Sequence, residues 1–252
     1  MANIPPASEN TNKKNKLTKD EVRSKFDNET ASAYSQSATS WLPEVDFSFP
    51  LIQRTLKPFI TKNSRIADLG AGTGNLSKKI FESYPNVIID SVDFSENMLS
   101  EAKNVLSQFE GNYSIITEDF FEYKLKNNAY DAVVSSFAIH HARDLKVYKN
   151  LYQNIFNSLT ENGIFICCDV IEGDNDFLSS LSEKDWSNFL SNQGYEKEEI
   201  DEILDGYHRE DSPITIREHF CLLQDVGFKS ADVIWKKYNF GIYVGIKNNI
   251  NY

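Results

Sequence analysis

The sequence has few of the residues that mark several large classes of protein. Its three cysteines, Cys167, Cys168 and Cys221, form no even set and show no metal-ligand spacing, which argues against a disulfide framework. No apolar run approaches the length of a membrane span. The first residues are polar, so no secretory signal is expected. These absences together predict a reduced, cytoplasmic protein that makes no use of a membrane.

Positive charge is also scarce. The formal net charge is -11, with 26 lysines and arginines against 37 aspartates and glutamates. Proteins that bind nucleic acid usually show a basic face, and no basic stripe follows the first twenty or so residues. Nucleic acid is therefore not expected as a partner. A small-molecule substrate is expected instead, and a homodimer is left open.

The chain is long enough to bury one full core. Its 252 residues, 40% of them hydrophobic, have the composition of a globular protein. We expect a disordered tail over residues 1–17 and a single domain over residues 18–252. Within that domain, residues 18–60 are predicted to form an N-terminal helical lid. Residues 172–217, which are acidic and apolar at helical spacing, predict a helical cap.

A glycine-rich turn is the clearest motif. Residues 66–69 predict a buried strand, residues 70–74 a turn, and Asn75 the start of a helix. A strand that runs into such a turn and a helix N terminus is typical of a nucleotide-type cofactor site. The spacing is G-x-G-x-G rather than G-x-G-x-x-G, and no Gly-Lys-Ser/Thr follows, which excludes a P-loop. A tight turn in some other α/β protein remains the alternative.

Acidic residues follow the next two predicted strands. Asp93 ends the strand at residues 87–93, about 20 residues past the glycines, where a carboxylate can accept hydrogen bonds from ribose hydroxyls. Asp119 follows the strand at residues 113–116 and could accept from an adenine amino group; the alternative is a helix cap. A continuous apolar strand at residues 130–136 indicates the centre of a parallel sheet.

Several segments, in order, resemble the class I S-adenosylmethionine (SAM) methyltransferases: residues 68–74 (DLGAGTG), 92–99 (VDFSENML), 159–165 (LTENGIF) and 219–228 (HFCLLQDVGF). The resemblance implies an α/β, Rossmann-like doubly wound fold. Its seven-stranded sheet is mostly parallel with one antiparallel strand, and a helical insertion separates strands 5 and 6. The resemblance also implies SAM as the cofactor. The residues that it assigns to cofactor binding are Tyr34, Asp68, Gly70, Ala71, Gly72, Asp93, Phe94, Met98, Asp119, Phe120 and Ser136.

Within this superfamily the layout is similar to that of the carboxy-SAM synthases. The shared features are the helical insertion ending in Gly194-Tyr195 and the Tyr-Asn-Phe-Gly run near the end of the chain. That resemblance implies an arginine, just before the Gly-Tyr pair, that holds the added carboxylate. Residues 190–193 contain no cation. Because a carboxylate in a dry site needs a charge partner, carboxy-SAM activity is not expected.

The resemblance implies methyl transfer, which needs little from the protein besides alignment and exclusion of water. A base is needed only when the acceptor carries a proton, and His141 is the first candidate, with His140 second. The alternative is that each histidine merely shapes its loop. The two histidines are adjacent and lack a third ligand at suitable spacing, so no metal is expected. Trp186 and Tyr207 in the insertion are predicted to contact the substrate; the alternative is packing on the sheet.

Three functions are compatible with these features. The first is a methyltransferase acting on O, N or C of a small molecule. The second is non-methylating chemistry on SAM itself, such as cyclisation or modification of its side chain. The third is a non-catalytic SAM-binding protein, which predicts an exposed apolar patch in place of a cavity.

Overall fold

A computed structural model of the protein describes residues 16–28, 40–43, 45–109 and 112–248. The expected disordered tail lies almost wholly outside these residues, and so does Tyr34 with its predicted contact to the cofactor.

One seven-stranded sheet forms the centre of the molecule, in the order β3-β2-β1-β4-β5-β7-β6. The first five strands pair in parallel, and β7 runs antiparallel to both β5 and β6. This arrangement confirms the predicted sheet. The strands are β1 (Arg65–Leu69), β2 (Ile88–Asp93), β3 (Tyr113–Thr117), β4 (Tyr130–Ser136), β5 (Leu159–Val170), β6 (Ser230–Lys237) and β7 (Phe240–Ile246).

Helices cover both faces of the sheet, because alternate strand residues point into two separate cores. In β1, Ala67 packs on one side with Tyr152 and Leu223, and Ile66 packs on the other with Leu56 and Ile80. The helices are α1 (Lys19–Asn28), α2 (Val45–Leu56), α3 (Asn75–Ser83), α4 (Glu96–Leu106), α5 (Leu145–Ser158), α6 (Asp176–Asn192), α7 (Lys197–Glu210) and α8 (Ile216–Val226). Across the described ranges, none of them is long and apolar enough to cross a membrane.

Local sequence signals fix the ends of α8. Thr215 and Glu218 form a capping box at its start, in which each side chain bonds the other residue's backbone N–H. Gly227 ends the helix with φ of 121°, a conformation that strongly favours glycine. From the sequence, residues 216–226 are predicted to form the last helix and Gly227 to end it, and the structure confirms both.

The predicted end of the helix before β5 was wrong. Since glycine commonly ends helices, the sequence predicts that this helix stops at Gly163, but α5 ends at Ser158 and β5 already begins at Leu159. Leu159 is fully buried and pairs with Tyr130, and the register between the two strands is irregular until Ala132 meets Ile164. Burial of Leu159 and this early pairing therefore outweigh the turn signal of the glycine.

Helices α6 and α7 form the predicted insertion between β5 and β6. Their apolar side packs on the ends of the sheet strands, where Trp186, Leu190 and Ile200 contact Val170 and Phe240. Val170 ends β5 and Phe240 begins the antiparallel β7, so both lie at the carboxyl edge of the parallel strands. In open α/β sheets this is the edge where ligands bind.

Candidate functional site

The glycine turn leaves β1 and folds back against the loop after β4. Gly70 and Gly72 both have positive φ, of 68° and 51°. A Cβ built on Gly70 would lie 2.2 Å from the Cβ of Ala138, whereas a Cβ on Gly72 would meet nothing within 4 Å. The Gly70 position therefore closes the turn against the fold, and the Gly72 backbone borders open space in which a ligand can approach closely.

Asp93 lies where the end of β2 meets this turn. Its Oδ2 accepts a hydrogen bond from the Gly72 N–H at 2.9 Å, and its Oδ1 accepts one from the Ser95 N–H at 2.9 Å. Ser95 in turn caps α4 by accepting from the Met98 N–H. The carboxylate is thus fixed beside the open side of the turn. Met98 itself is buried on α4 rather than in the lining of either cavity described below.

A buried carboxylate stands under the same turn. Asp68 Oδ2 accepts from the Ser77 hydroxyl at 2.6 Å, while its Oδ1 is buried and has no hydrogen-bond partner within the described residues. Burial raises the pKa of Asp68 to about 7, against the effect of the Ser77 hydrogen bond. A cationic group brought to this point would favour the charged form.

Helix α1 lies against the loop that follows β3, the strand next to β2. Asp119, after β3, lies 2.5 Å from the Lys19 Nζ, and its Oδ1 accepts from the Phe121 N–H. The guanidinium of Arg23 lies 5.0 Å from the centroid of the Phe94 ring. A cavity of about 100 Å³ remains there, lined among others by Phe94, Asp119 and Phe120. The sequence predicted the helix, but nothing local to residue 19 signals an ion pair with a residue one hundred positions away.

A larger cavity of about 430 Å³ lies under the insertion. Trp186 and Tyr207 line it together with Phe137 at the end of β4, and their contact with a substrate stays a prediction. Phe137 has a positive φ of 51°, a strained conformation for a bulky residue that is concentrated at functional sites. Ser136, just before it, ends β4 half-buried. His141 is the single residue that lines both this cavity and the smaller one within the described ranges.

The first histidine of the pair is held between two carboxylates. The His140 N–H donates to Asp169 Oδ2 at 3.0 Å, its Nδ1 bonds Asp169 Oδ1, and its Nε2 lies 3.5 Å from Asp211 Oδ1. Burial opposes the charged ring, but Asp211 and Asp169 outweigh it and raise the pKa of His140 to about 9. At neutral pH the His140 ring is therefore a charged imidazolium, held in place by these two carboxylates.

The second histidine has the opposite character. Burial, together with the positive charge of His140, lowers the pKa of His141 well below its usual value. Its Nδ1 lies 3.3 Å from Asp211 Oδ1. His141 is therefore neutral at pH 7 and can accept a proton from a group in the larger cavity.

The fold brings a third possible metal ligand to the histidine pair, although that residue does not stand near the pair in the sequence. Donor atoms of His140, His141 and Asp211 lie within 4.8 Å of one another. Asp211 is about 70 positions away in sequence, so spacing alone could not find it. His140 Nδ1 is already hydrogen-bonded to Asp169 Oδ1. The absence of a metal therefore stays our prediction.

Comparison with known families gives a match over more than half of the chain. A model described as "Methyltransferase domain" matches residues 60–206. The carboxy-S-adenosyl-L-methionine synthase of Nautilia profundicola is 27% identical over 227 residues, covering 90% of this chain and 96% of that protein. The enzyme of the same name from Campylobacter concisus is 27% identical, covering 88% and 94%.

Solved structures give the same fold. A putative O-methyltransferase from Nostoc punctiforme superposes with a TM-score of 0.59 at 20% identity, covering 79% of this chain and 56% of that one. Phosphoethanolamine N-methyltransferase 2 of Haemonchus contortus, in complex with S-adenosyl-L-methionine, has a TM-score of 0.56 at 16% identity. That match covers 77% of this chain and 51% of the neighbour. At these identities the likeness extends to the fold alone.

Proposed function

The chain belongs to the methyltransferase-domain family, and from that premise we propose that it transfers the methyl group of SAM to a small-molecule acceptor. The observation that carries the proposal is the position of His141 between the two cavities. The smaller cavity adjoins the strand ends that would hold the cofactor. The larger one has the size and the aromatic lining of a small-molecule site.

The residues at the sheet edge fit this cofactor. The backbone at Gly70, Ala71 and Gly72 and the buried carboxylate of Asp68 would hold its methionine part. The carboxylate of Asp93 would accept from its ribose hydroxyls. The unpartnered Oδ1 of Asp68 supports this assignment, because a buried acceptor without a donor costs stability that an ammonium group would recover.

The adenine end would lie between the rings of Phe94 and Phe120, beside Asp119. Lys19 holds that carboxylate in the structure described here. Binding would therefore require Asp119 to accept from the adenine in addition to, or in place of, the lysine. Ser136, at the end of β4, would contact the cofactor's amino group. Tyr34 as a lid over the cofactor remains a proposal from the resemblance alone.

When bound, the cofactor supplies an electrophilic methyl group on a sulfonium. The task of the chain is to align the acceptor and exclude water. Trp186, Tyr207 and Phe137 would shape the acceptor cavity, and Trp186 is fixed by donating its indole N–H to the Trp41 carbonyl at 2.8 Å. Neutral His141 would take the proton of an acceptor that carries one.

A second candidate function is non-methylating chemistry on SAM itself. It is supported by relatives named carboxy-S-adenosyl-L-methionine synthase that align along nine-tenths of the chain. The larger cavity opposes the carboxyl form of that chemistry, because four carboxylates line it against two cations, Lys25 and the imidazolium of His140. A binding protein without catalysis is disfavoured by the cavity itself.

Incubation of the pure protein with SAM alone, followed by mass spectrometry, separates these functions. We expect SAM to stay intact without an acceptor and S-adenosylhomocysteine to appear when an acceptor pool is added. A control with heat-denatured protein corrects for spontaneous breakdown. Formation of methylthioadenosine or of a modified SAM in the absence of any acceptor would contradict methyl transfer and support the second candidate.

The affinity for SAM should rise with pH up to about 7. In the unliganded fold burial raises the pKa of Asp68 from 3.8 to about 7, so the protein binds a proton there between about pH 4 and 7 and loses stability as pH rises through that range. The SAM ammonium favours the ionised carboxylate, so binding releases this proton. We expect calorimetry at about pH 5.5 and 7 to show affinity rising by up to about tenfold per pH unit.

Asp68→Asn is the matched control for that titration, since the amide keeps the Ser77 contact but cannot ionise. Its affinity for SAM should be lower at pH 7 and nearly independent of pH below it. An equal pH dependence in the variant and the parent would remove Asp68 from the cofactor site.

A further inference from the structure

The larger cavity combines two kinds of wall that both attract positive charge. The first is aromatic: the Trp186 ring stands nearly perpendicular to Tyr207, at 5.7 Å between centroids, and to Phe240, at 5.3 Å. Trp41, Phe137 and Tyr195 complete this lining. The electron-rich faces of such rings bind ammonium groups.

The second wall is acidic and comes from α7. Glu199, Glu202, Glu210 and Asp211 line the cavity, against the single lysine Lys25. The lysine is already committed, because its Nζ lies 2.8 and 2.9 Å from the two carboxylate oxygens of Glu210. Glu199 is also partly committed, since it accepts from the Glu196 N–H as part of a helix cap. Glu202 makes no such pair in the described structure and is exposed.

The lining keeps a negative excess even when the charged histidine is counted. Four carboxylates against Lys25 and the imidazolium of His140 leave a formal excess of two negative charges. His141 adds none, because it is neutral. A carboxylate, phosphate or phenolate in this cavity would meet like charge, and burial of unpaired like charges is costly.

From the rings and the carboxylates together we infer that the acceptor is an amine and that this cavity is the site of N-methylation. The inference rests on the proposed methyl transfer and names its substrate class. In the reacting pair, the lone pair of a neutral amine nitrogen forms the new N–C bond as the S–C bond breaks. The electron pair of the broken S–C bond stays on sulfur, which becomes the neutral thioether of S-adenosylhomocysteine.

The charge therefore moves from sulfur to nitrogen during the step. A wall of carboxylates and ring faces stabilises the charge that develops on nitrogen more than it stabilises the neutral amine, which is the condition for catalysis. An ammonium substrate must first lose one proton to solvent. His141 is a weak base beside the charged His140, but it is the neutral imidazole placed to relay that proton. For an oxygen acceptor that reacts as an anion, the same wall would have the opposite effect.

Binding of three compounds with one carbon skeleton tests this inference: benzylamine, benzyl alcohol and benzoate, titrated into protein saturated with S-adenosylhomocysteine. We expect benzylamine to bind most tightly and benzoate least. Saturation with S-adenosylhomocysteine is measured first, so failure at that stage counts against the proposed function itself. If the nucleoside binds but the amine is not preferred, or does not bind at millimolar concentration, the amine class is wrong and methyl transfer stands.

Glu202→Gln provides the matched variant, because this exposed glutamate removes one wall charge without breaking a helix cap or an ion pair described here. We expect benzylamine affinity to fall by about two- to fivefold, and benzoate affinity not to fall. Glu198→Gln, on an exposed position of the same helix outside the cavity, is the control and should change neither. Equal effects of both variants would overturn the role of this wall.

Discussion

Replacing Gly70 by alanine should lower the free energy of unfolding by about 2–5 kcal/mol. Two costs add at this position. An L-residue at φ of 68° is in the left-handed region, which costs roughly 1–2 kcal/mol, and the new Cβ would lie 2.2 Å from the Cβ of Ala138. A Cβ cannot rotate away, so backbone must shift, and overpacking of this kind typically costs about 1–3 kcal/mol. Urea denaturation followed by circular dichroism measures the change.

Comparison with Gly72→Ala isolates the cost of the contact between the new Cβ at residue 70 and the Cβ of Ala138. Its φ of 51° imposes a similar backbone cost, but the added Cβ meets nothing within 4 Å. We expect a stability loss of roughly 1–2 kcal/mol. We also expect a marked loss of SAM affinity, because the added methyl group would enter the open space beside Gly72 (the groove) where the cofactor is proposed to bind. Gly194→Ala, also at positive φ and in open space, controls for the backbone cost away from the groove. Equal destabilisation by the Gly70 and Gly72 variants would contradict the packing described for the turn.

Replacing His141 by glutamine should reduce turnover of a protonated acceptor by about 10²–10⁴-fold while leaving SAM affinity nearly unchanged. The physical reason is that neutral His141 is the shared residue of the two cavities and can accept a proton where they meet. Glutamine keeps a polar side chain of similar size but cannot accept and release a proton. Single-turnover kinetics with pre-bound SAM would measure the chemical step directly.

His208→Gln is the control for this variant. His208 is on α7, paired with Glu183 at 3.3 Å, and lies outside both cavities. We expect its turnover to match the parent protein. A His141→Gln variant whose single-turnover rate equals that of the parent would show that this histidine only shapes the loop.

Much of the fold follows from sequence because its signals are local. The apolar run at residues 130–136 and the stop at Gly227 each fix an element without help from distant parts of the chain. The predicted helix end at Gly163 was wrong for the opposite reason. Its turn signal is local, but the early start of β5 is set by pairing of Leu159 with Tyr130 on a neighbouring strand.

The same distinction applies to the candidate site. The sequence placed the glycine turn after β1 and Asp93 at the end of β2, so both were expected at the carboxyl ends of strands. The structure joins them by the Gly72–Asp93 hydrogen bond. Lys19 reaches Asp119, and Asp211 reaches the histidine pair, only through tertiary packing. No periodicity or motif in the chain encodes such contacts. The charged state of His140 likewise depends on Asp211 and Asp169, which lie far apart in sequence. The neutral state of His141 depends on its burial and on the charge of His140.

We propose that an adenosyl sulfonium binds along the carboxyl edge of the sheet, between the glycine turn and the end of β2. A crystal structure of the protein grown with S-adenosylhomocysteine tests it most directly. We expect density for the nucleoside with its ribose hydroxyls on the Asp93 carboxylate and its amino acid end beside Asp68. A nucleoside bound elsewhere, or no density at this sheet edge in the presence of saturating ligand, would contradict it.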